Sequence, residues 1–104
     1  MRFEVLKGHA DLLVLAALAA GPAHGYAVVE TVRARSEGAF DMAEGTVYPA
    51  LYRLERQGLL ESTWSDVGGR RRRIYRLTRR GRAEFGRQQQ EWGGYVRAMQ
   101  AALA

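Results

Sequence analysis

Hydrophobic positions in the first part of the chain recur at spacings of three and four residues, which predicts two helices. The apolar positions of the first helix are Leu12, Leu13, Leu15, Ala16 and Ala19. Gly21-Pro22 ends this helix, and a short amphipathic lead-in from Phe3 to Lys7 precedes it. The second helix begins near residues 24–26 and runs to about Ser36, where Gly38 closes it. Its inward positions are Val28, Val29 and Val32.

A third helix is predicted from about Glu44 to Gln57, and Gly58 would end it in the left-handed conformation. Its buried stripe is Val47, Leu51 and Leu54. The opposite face is aromatic and cationic, with Pro49, Tyr52, Arg53 and Arg56, and with Tyr48 at the border. Arginine can fork onto guanine or phosphate, and tyrosine can bond phosphate while lying against a thymine methyl group. This face therefore indicates a helix that inserts into an anionic partner.

Two strands joined by a tight turn follow the third helix. Leu60 to Asp66 is rich in Thr, Trp and Ser, residues 67–69 form the turn, and Arg71 to Leu77 returns. Tyr75 and Leu77 are expected to face the core on the returning strand. Three helices followed by a hairpin predict a mainly α fold with a small β-wing, the winged helix-turn-helix.

The remaining segment, Thr78 to Ala104, is predicted as one long helix that Thr78 caps. Large or apolar residues recur along it in alternating steps of four and three, at Phe85, Gln89, Trp92, Val96, Met99 and Leu103. The domain is small, so its core offers this stripe little surface to cover. We therefore expect the stripe to pair with a second chain. The alternative is that the helix folds back on its own domain. We therefore divide the chain into residues 1–77 and a dimerisation helix, residues 78–104.

Composition limits the possible functions. A chain of 104 residues is one domain by length, and the absence of cysteine removes disulfides and thiolate metal ligands. No stretch approaches the roughly 18 apolar residues of a membrane span. The apolar run from Leu12 to Ala20 has no signal-peptide context, so we expect a cytoplasmic protein with no membrane partner.

The net charge of +5 is unevenly distributed. Nine of the sixteen basic residues lie between Arg70 and Arg87, where Glu84 is the only acid. Such a cluster favours polyanions, although a solvated arginine-rich surface is the plain alternative. In the hairpin, Arg70, Arg71 and Arg72 suit a minor groove or a phosphate track, and a merely solubilising hairpin is the alternative. Trp64 is expected in the core at the base of the wing.

Enzyme and metal motifs are missing. His9 and His24 have no cysteine or carboxylate at zinc-type spacing, and no catalytic triad or phosphate loop occurs. We therefore expect no catalytic residue, no cofactor and no metal. His24 is expected to begin the second helix within reach of phosphate. Tyr26 beside it is expected at backbone phosphate or, equally, as a partly buried aromatic.

Several motifs in register resemble the PadR-like transcriptional regulators. The segment from Gly45 to Leu60, G-T-x-Y-P-x-L-x-R-L-E-x-x-G-L-L, resembles the signature helix of that family. The segments before and after it that also match are His24-Gly25-Tyr26, Gly68-Gly69, Arg73 to Thr78 and Gly81-Arg82. Ala43 stands where the family often has Ser, and an alanine cannot cap a helix through its side chain.

The resemblance implies a dimeric repressor that binds an inverted-repeat operator in double-stranded DNA. The expected DNA contacts are Tyr26, Gly45, Thr46, Tyr48, Pro49, Tyr52, Arg53, Arg56, Arg70, Arg71 and Arg72. In some short members a planar aromatic effector binds between the paired terminal and first helices. The implied effector and dimer residues are Phe3, Leu6, Phe85, Trp92, Tyr95, Val96, Met99 and Leu103. For Trp92, dry packing of the dimer is the alternative to a pocket wall.

Two other classes of function compete with specific repression. A winged helix can bind protein, but such domains usually lack a basic wing and a Tyr/Arg face. A non-specific nucleic-acid binder would use the charge alone.

Overall fold

The computed structural model describes residue 3 and residues 7–104. Its helices and strands are, in chain order, α1 (Lys7–Ala19), α2 (Gly25–Arg35), α3 (Glu44–Arg56), β1 (Leu60–Ser65), β2 (Arg72–Leu77) and α4 (Arg79–Leu103). One turn of 3-10 helix, Val67–Gly69, joins the two strands. The predicted mainly α fold with a small β-wing is confirmed. The predicted lead-in lies mostly outside the described residues.

Helix α1 forms the centre of the core. Its buried residues are Ala10, Val14, Leu15, Ala17 and Leu18, whereas Leu12, Leu13, Ala16 and Ala19 are only half-buried. Apolar residues occupy both the buried and the half-buried positions of this helix, so periodicity alone does not select its inner face. The predicted stripes of α2 and α3 are confirmed, since Val28, Val29, Val32, Val47, Leu51 and Leu54 are all buried.

The two ends of α3 differ in how they are capped. Ala43 is the N-cap residue, and it makes no side-chain capping bond because its methyl group has no acceptor. At the other end Gly58 has φ +77°, the left-handed conformation that glycine adopts without strain. The Gly58 amide donates to the Glu55 carbonyl at 2.9 Å, and the Leu59 amide donates to the Leu54 carbonyl at 3.0 Å. These bonds form a Schellman cap, which turns the chain directly into β1.

The wing is a regular antiparallel hairpin in which Leu60 pairs with Leu77 and Ser65 pairs with Arg72. Tyr75 and Leu77 are buried, as predicted. A third short segment joins the hairpin, because Ala23 and Tyr75 exchange two backbone hydrogen bonds of 3.0 and 2.9 Å. This bridge holds the start of α2 against β2.

Helix α4 begins at Thr78, whose hydroxyl accepts a hydrogen bond from the Gly81 amide at 3.0 Å. The same hydroxyl donates to the Gly58 carbonyl at 2.7 Å, so one side chain ties α4 to the end of α3. The first part of α4 lies on its own domain, where Phe85 packs against the core. Farther along, Tyr95, Met99 and Leu103 are exposed. Within the described part of the chain, no helix is long and apolar enough to cross a membrane.

Candidate nucleic-acid interface

The outer face of α3 carries the residues that the sequence placed there. Pro49, Tyr52, Arg53 and Arg56 line one shallow concave surface together with Gln57. Gly45 and Thr46 are exposed in the first turn of the same helix. Pro49 has no N–H, so the Gly45 carbonyl has no i+4 donor within the helix. This surface thus offers phenol, guanidinium and backbone oxygen groups side by side.

A second cleft lies between α3, the start of α2 and the wing. It encloses about 600 Å³. Tyr26, Tyr48, Tyr52 and Trp64 supply its aromatic groups, and Arg70 to Arg73 supply its positive charge. Tyr52 lines both this cleft and the outer face of α3, and 61% of its surface is exposed. The structure therefore brings the predicted contacts of the helix and of the wing onto one surface.

Trp64 belongs to this cleft and not to the core, so the prediction for this residue was wrong. It is 54% exposed, and the guanidinium carbons of Arg71 and Arg73 lie 4.6 and 5.2 Å from its ring centroid. Alternation from buried Leu60 correctly places Trp64 on the inner face of β1. At Trp64, however, the hairpin has extended past the core, so this face of β1 borders the cleft.

Arg53 does not project freely from α3. Its guanidinium pairs with the Asp11 carboxylate of α1. Sequence patterns could not indicate this contact, because the two residues are 42 positions apart. Arg56, one turn farther along α3, is exposed. The two arginines of the predicted recognition face therefore differ in their freedom to reach a ligand.

A hydrogen-bond network fixes the wing relative to α3. Arg73 Nε donates to the Ser62 hydroxyl at 2.8 Å, and this hydroxyl donates to Glu55 Oε2 at 2.6 Å. The Arg73 guanidinium also lies 3.9 Å from the Glu55 carboxylate. Arg73 thus acts inside the protein and holds the wing, while Arg70, Arg71 and Arg72 remain exposed at its tip.

Other arginines of the basic cluster also have partners within the protein. Arg76 forms an ion pair of 2.7 Å with Glu61 across the hairpin. Arg87 pairs with Glu84 and Glu91 along α4, at 2.8 and 2.9 Å. Hydrogen bonds from Arg87 and Gln88 lower the pKa of Glu84 to about 2, so this carboxylate is ionised at neutral pH. Exposed arginines of the cluster lie at the tip of the wing, at Arg70, Arg71 and Arg72, and at the start of α4, at Arg79, Arg80 and Arg82.

Gly25 and His24 form the edge of the cleft at the start of α2. A methyl group at Gly25 would lie 2.6 Å from the Tyr48 ring, so only glycine lets this ring lie over the helix start. The His24 side chain caps α2, because its Nδ1 accepts a hydrogen bond of 3.2 Å from the Ala27 amide. Burial lowers the pKa of His24, and the charges of Arg72 and Arg70 lower it further. The ring is therefore neutral at physiological pH.

A third cleft, of about 400 Å³, separates α1 from α4. The Trp92 ring lies edge-on to His9 at 5.1 Å and stacks on Tyr95 at 5.6 Å, measured between ring centroids. Asp11 and Glu91 add carboxylates to the walls. Phe3, an expected effector residue, lies 6.0 Å from the Phe40 ring, and Leu6 is outside the described residues.

No group of three or more His, Cys, Asp or Glu side chains that could hold a metal ion occurs among residues 3 and 7–104.

The basic and aromatic surface is carried by a helix-turn-helix and its wing. Together they define a winged-helix DNA-binding protein. The chain belongs to the PadR-like family of transcriptional regulators, whose family model matches residues 14–87.

Solved structures of related regulators have the same fold. A PadR family transcription regulator from Clostridium difficile superposes with a TM-score of 0.81 and 31% identity, over 93% of this chain and 100% of that one. A transcriptional regulator from Clostridium thermocellum gives a TM-score of 0.83 and 27% identity, over 91% and 93% of the two chains. The transcriptional regulator Rv3488 of Mycobacterium tuberculosis is 50% identical over 48 residues, which cover 46% of this chain and 45% of that protein.

These proteins are transcription regulators. Regulators of the PadR-like family bind DNA, generally as dimers. The chain is accordingly a DNA-binding regulator of transcription.

Proposed function

We propose that this protein is a cytoplasmic repressor that binds an inverted-repeat operator as a homodimer. The observation that carries the proposal is the single aromatic and cationic surface formed by the start of α2, the outer face of α3 and the wing. Helix α3 would enter the major groove with Gly45, Thr46, Tyr48, Pro49, Tyr52, Arg53 and Arg56. Arg70, Arg71 and Arg72 would reach the flanking groove, and Tyr26 would bond backbone phosphate.

The exposed part of α4 supports the homodimer. Beyond Trp92, whose ring contacts His9 of α1, the apolar stripe is exposed at Met99 and Leu103. Pairing this stripe with its copy would bury it about a two-fold axis. The division into residues 1–77 for DNA and residues 78–104 for dimerisation follows from this arrangement. A symmetric dimer requires half-sites about one helical turn apart, or a multiple of that distance.

The α1–α4 cleft supports release by a small planar aromatic ligand. Trp92 and Tyr95 present a stacked aromatic wall, and His9 closes one side. This wall is carried by α4 at the start of its exposed part, so a ligand there would touch the proposed pairing helix. A ligand that prefers a different spacing of the two α3 helices would weaken operator binding.

Specific repression predicts a strong preference for one palindrome. In a fluorescence-polarisation titration, the operator should bind at least about a thousandfold more tightly than random duplex. The titration is run at two salt concentrations, because non-specific binding falls steeply with salt. Equal affinity for all sequences would instead support a non-specific binder, and no binding at low salt would support a protein-interaction module. A reporter gene behind the operator should be expressed more strongly when the regulator is deleted, and an activator would give the reverse.

The ligand proposal predicts quenching of Trp92 fluorescence. Trp64 is exposed in the DNA cleft, so a Trp64→Phe variant leaves Trp92 as the single tryptophan. Adding planar aromatic compounds should quench this variant with saturation at micromolar concentrations, and the same compounds should release operator DNA. If Trp92 serves only to pack the dimer, the emission will stay constant across a panel of planar aromatics.

A further inference from the structure

The start of α2 is held at a fixed place beside the wing. Ala23, the residue before His24, is anchored to β2 by two backbone hydrogen bonds with Tyr75. As a result, His24 Nε2 lies 2.8 Å from the NH1 nitrogen of Arg72, although the two residues are 48 positions apart. The other ring nitrogen, Nδ1, lies 3.2 Å from the Ala27 amide nitrogen.

The two ring nitrogens of His24 thus both face hydrogen-bond donors. The Ala27 amide and the Arg72 guanidinium can only donate. A neutral imidazole carries one proton, so it can accept at only one of its two nitrogens. Burial and the neighbouring guanidiniums lower the pKa of His24, and a second proton would abolish the cap on α2. One of the two contacts therefore places two donors against each other, and neither group can accept from the other.

We propose that His24 and Arg72 together bind one phosphate of the DNA backbone, which supplies the missing acceptor. This proposal rests on the proposed DNA-binding function. With the proton on Nε2, His24 Nδ1 keeps the Ala27 bond while Nε2–H and the Arg72 guanidinium each donate to a phosphate oxygen. Both donors of this exposed pair then bond the same anion.

The position of this pair favours DNA over a small free anion. His24 and Arg72 lie at the edge of the cleft that Tyr26, Tyr48 and Tyr52 also line. A phosphate held there would continue into a strand whose bases face α3. Since phosphate contacts fix the register of a protein on the duplex, the site would position α3 without reading sequence itself.

Two variants separate the roles of the pair. His24→Asn retains a favourable N-cap residue but is too short to offer a donor at the Nε2 position. It should fold normally and lose operator affinity by about tenfold for each half-site, because a donor to a charged acceptor is lost. Its salt dependence should equal that of the wild type, since a neutral group displaces no counterion. Arg72→Gln should lower the slope of log K against log salt by about 0.9 for each half-site.

The matched control for charge is Arg33→Gln. Arg33 pairs with Glu30 near the far end of α2, and its removal should leave operator affinity at the wild-type value. Thermal unfolding of each variant establishes that the fold is intact. A folded His24→Asn protein with wild-type operator affinity would disprove the phosphate site, while leaving the wider DNA-binding proposal in place.

A chemical scan of the operator tests the same site on the unchanged protein. Single methylphosphonate substitutions remove the charge of one phosphate at a time. At one position in each half-site, the substitution should weaken binding by the wild-type protein more than by His24→Asn, in which only the Arg72 contact remains to be lost. Penalties that add at every position would show that His24 contacts no phosphate. Absence of operator binding by the wild-type protein would contradict the proposed function itself.

Discussion

Replacing Met99 and Leu103 by Glu is expected to give monomers and to lower operator affinity by about 10²–10⁴-fold. Met99 is 43% exposed and Leu103 is 78% exposed in the single chain, so the monomer should tolerate both carboxylates. In the proposed dimer the same carboxylates would face one another across a two-fold axis and lose their water. Without pairing, each half-site must be bound independently. Sedimentation velocity measures the oligomeric state, and polarisation measures the affinity.

The matched control is the double variant Gln90→Glu with Ala101→Glu. Both positions are exposed on the opposite side of α4, and the change in charge is the same. This control should remain dimeric and bind the operator nearly as well as the wild type. A Met99→Glu and Leu103→Glu protein that still sediments as a dimer would place the pairing surface elsewhere on the chain.

Tyr52→Ala is expected to cost about 1–3 kcal/mol of operator binding at each half-site. Tyr52 lines both the outer face of α3 and the cleft beside the wing, so its ring connects the two parts of the surface. Its loss should remove contact with the sugar or with a thymine methyl group, together with any bond from the hydroxyl. The affinity for random duplex should fall much less, which paired polarisation titrations measure directly.

Tyr52→Phe separates the ring from the hydroxyl. It keeps the aromatic contact, so it should lose less operator-binding free energy than Tyr52→Ala. The difference between the two variants is the contribution of the ring. Because the side chain is largely exposed, neither change should lower the unfolding temperature appreciably. Wild-type operator affinity for both variants would exclude this face of α3 from the groove.

Local periodicity and turn chemistry were sufficient to predict most of the fold. Helix α3 has a single apolar side, formed by Val47, Leu51 and Leu54. The spacing of these residues therefore determined which face of the helix is buried. Gly58 signalled the end of α3, and the structure confirms its left-handed conformation. In α1 apolar residues also occupy the half-buried positions Leu12, Leu13 and Ala16, so the same method does not select its inner face.

The site was less predictable because its contacts join distant parts of the chain. The recognition residues could be named from the chemistry of one helix face, since neighbours on a helix are set by sequence spacing. The Asp11 partner of Arg53, the Arg72 neighbour of His24 and the exposure of Trp64 depend on where separate elements pack. Alternation along β1 puts Trp64 on the same face as Leu60, but it does not show whether core or solvent lies there.

Asp11 lies in the wall of the α1–α4 cleft, and its carboxylate also holds Arg53 of α3. A ligand that bonds this carboxylate would compete with Arg53 for it, so the two binding sites would share one group. Binding free energies are reciprocal, which means that the operator must change the affinity for the ligand by the same factor as the ligand changes the affinity for the operator. The DNA would then act as an effector of the ligand site. A dissociation constant measured on free protein would differ by that factor from the one that governs release in the cell.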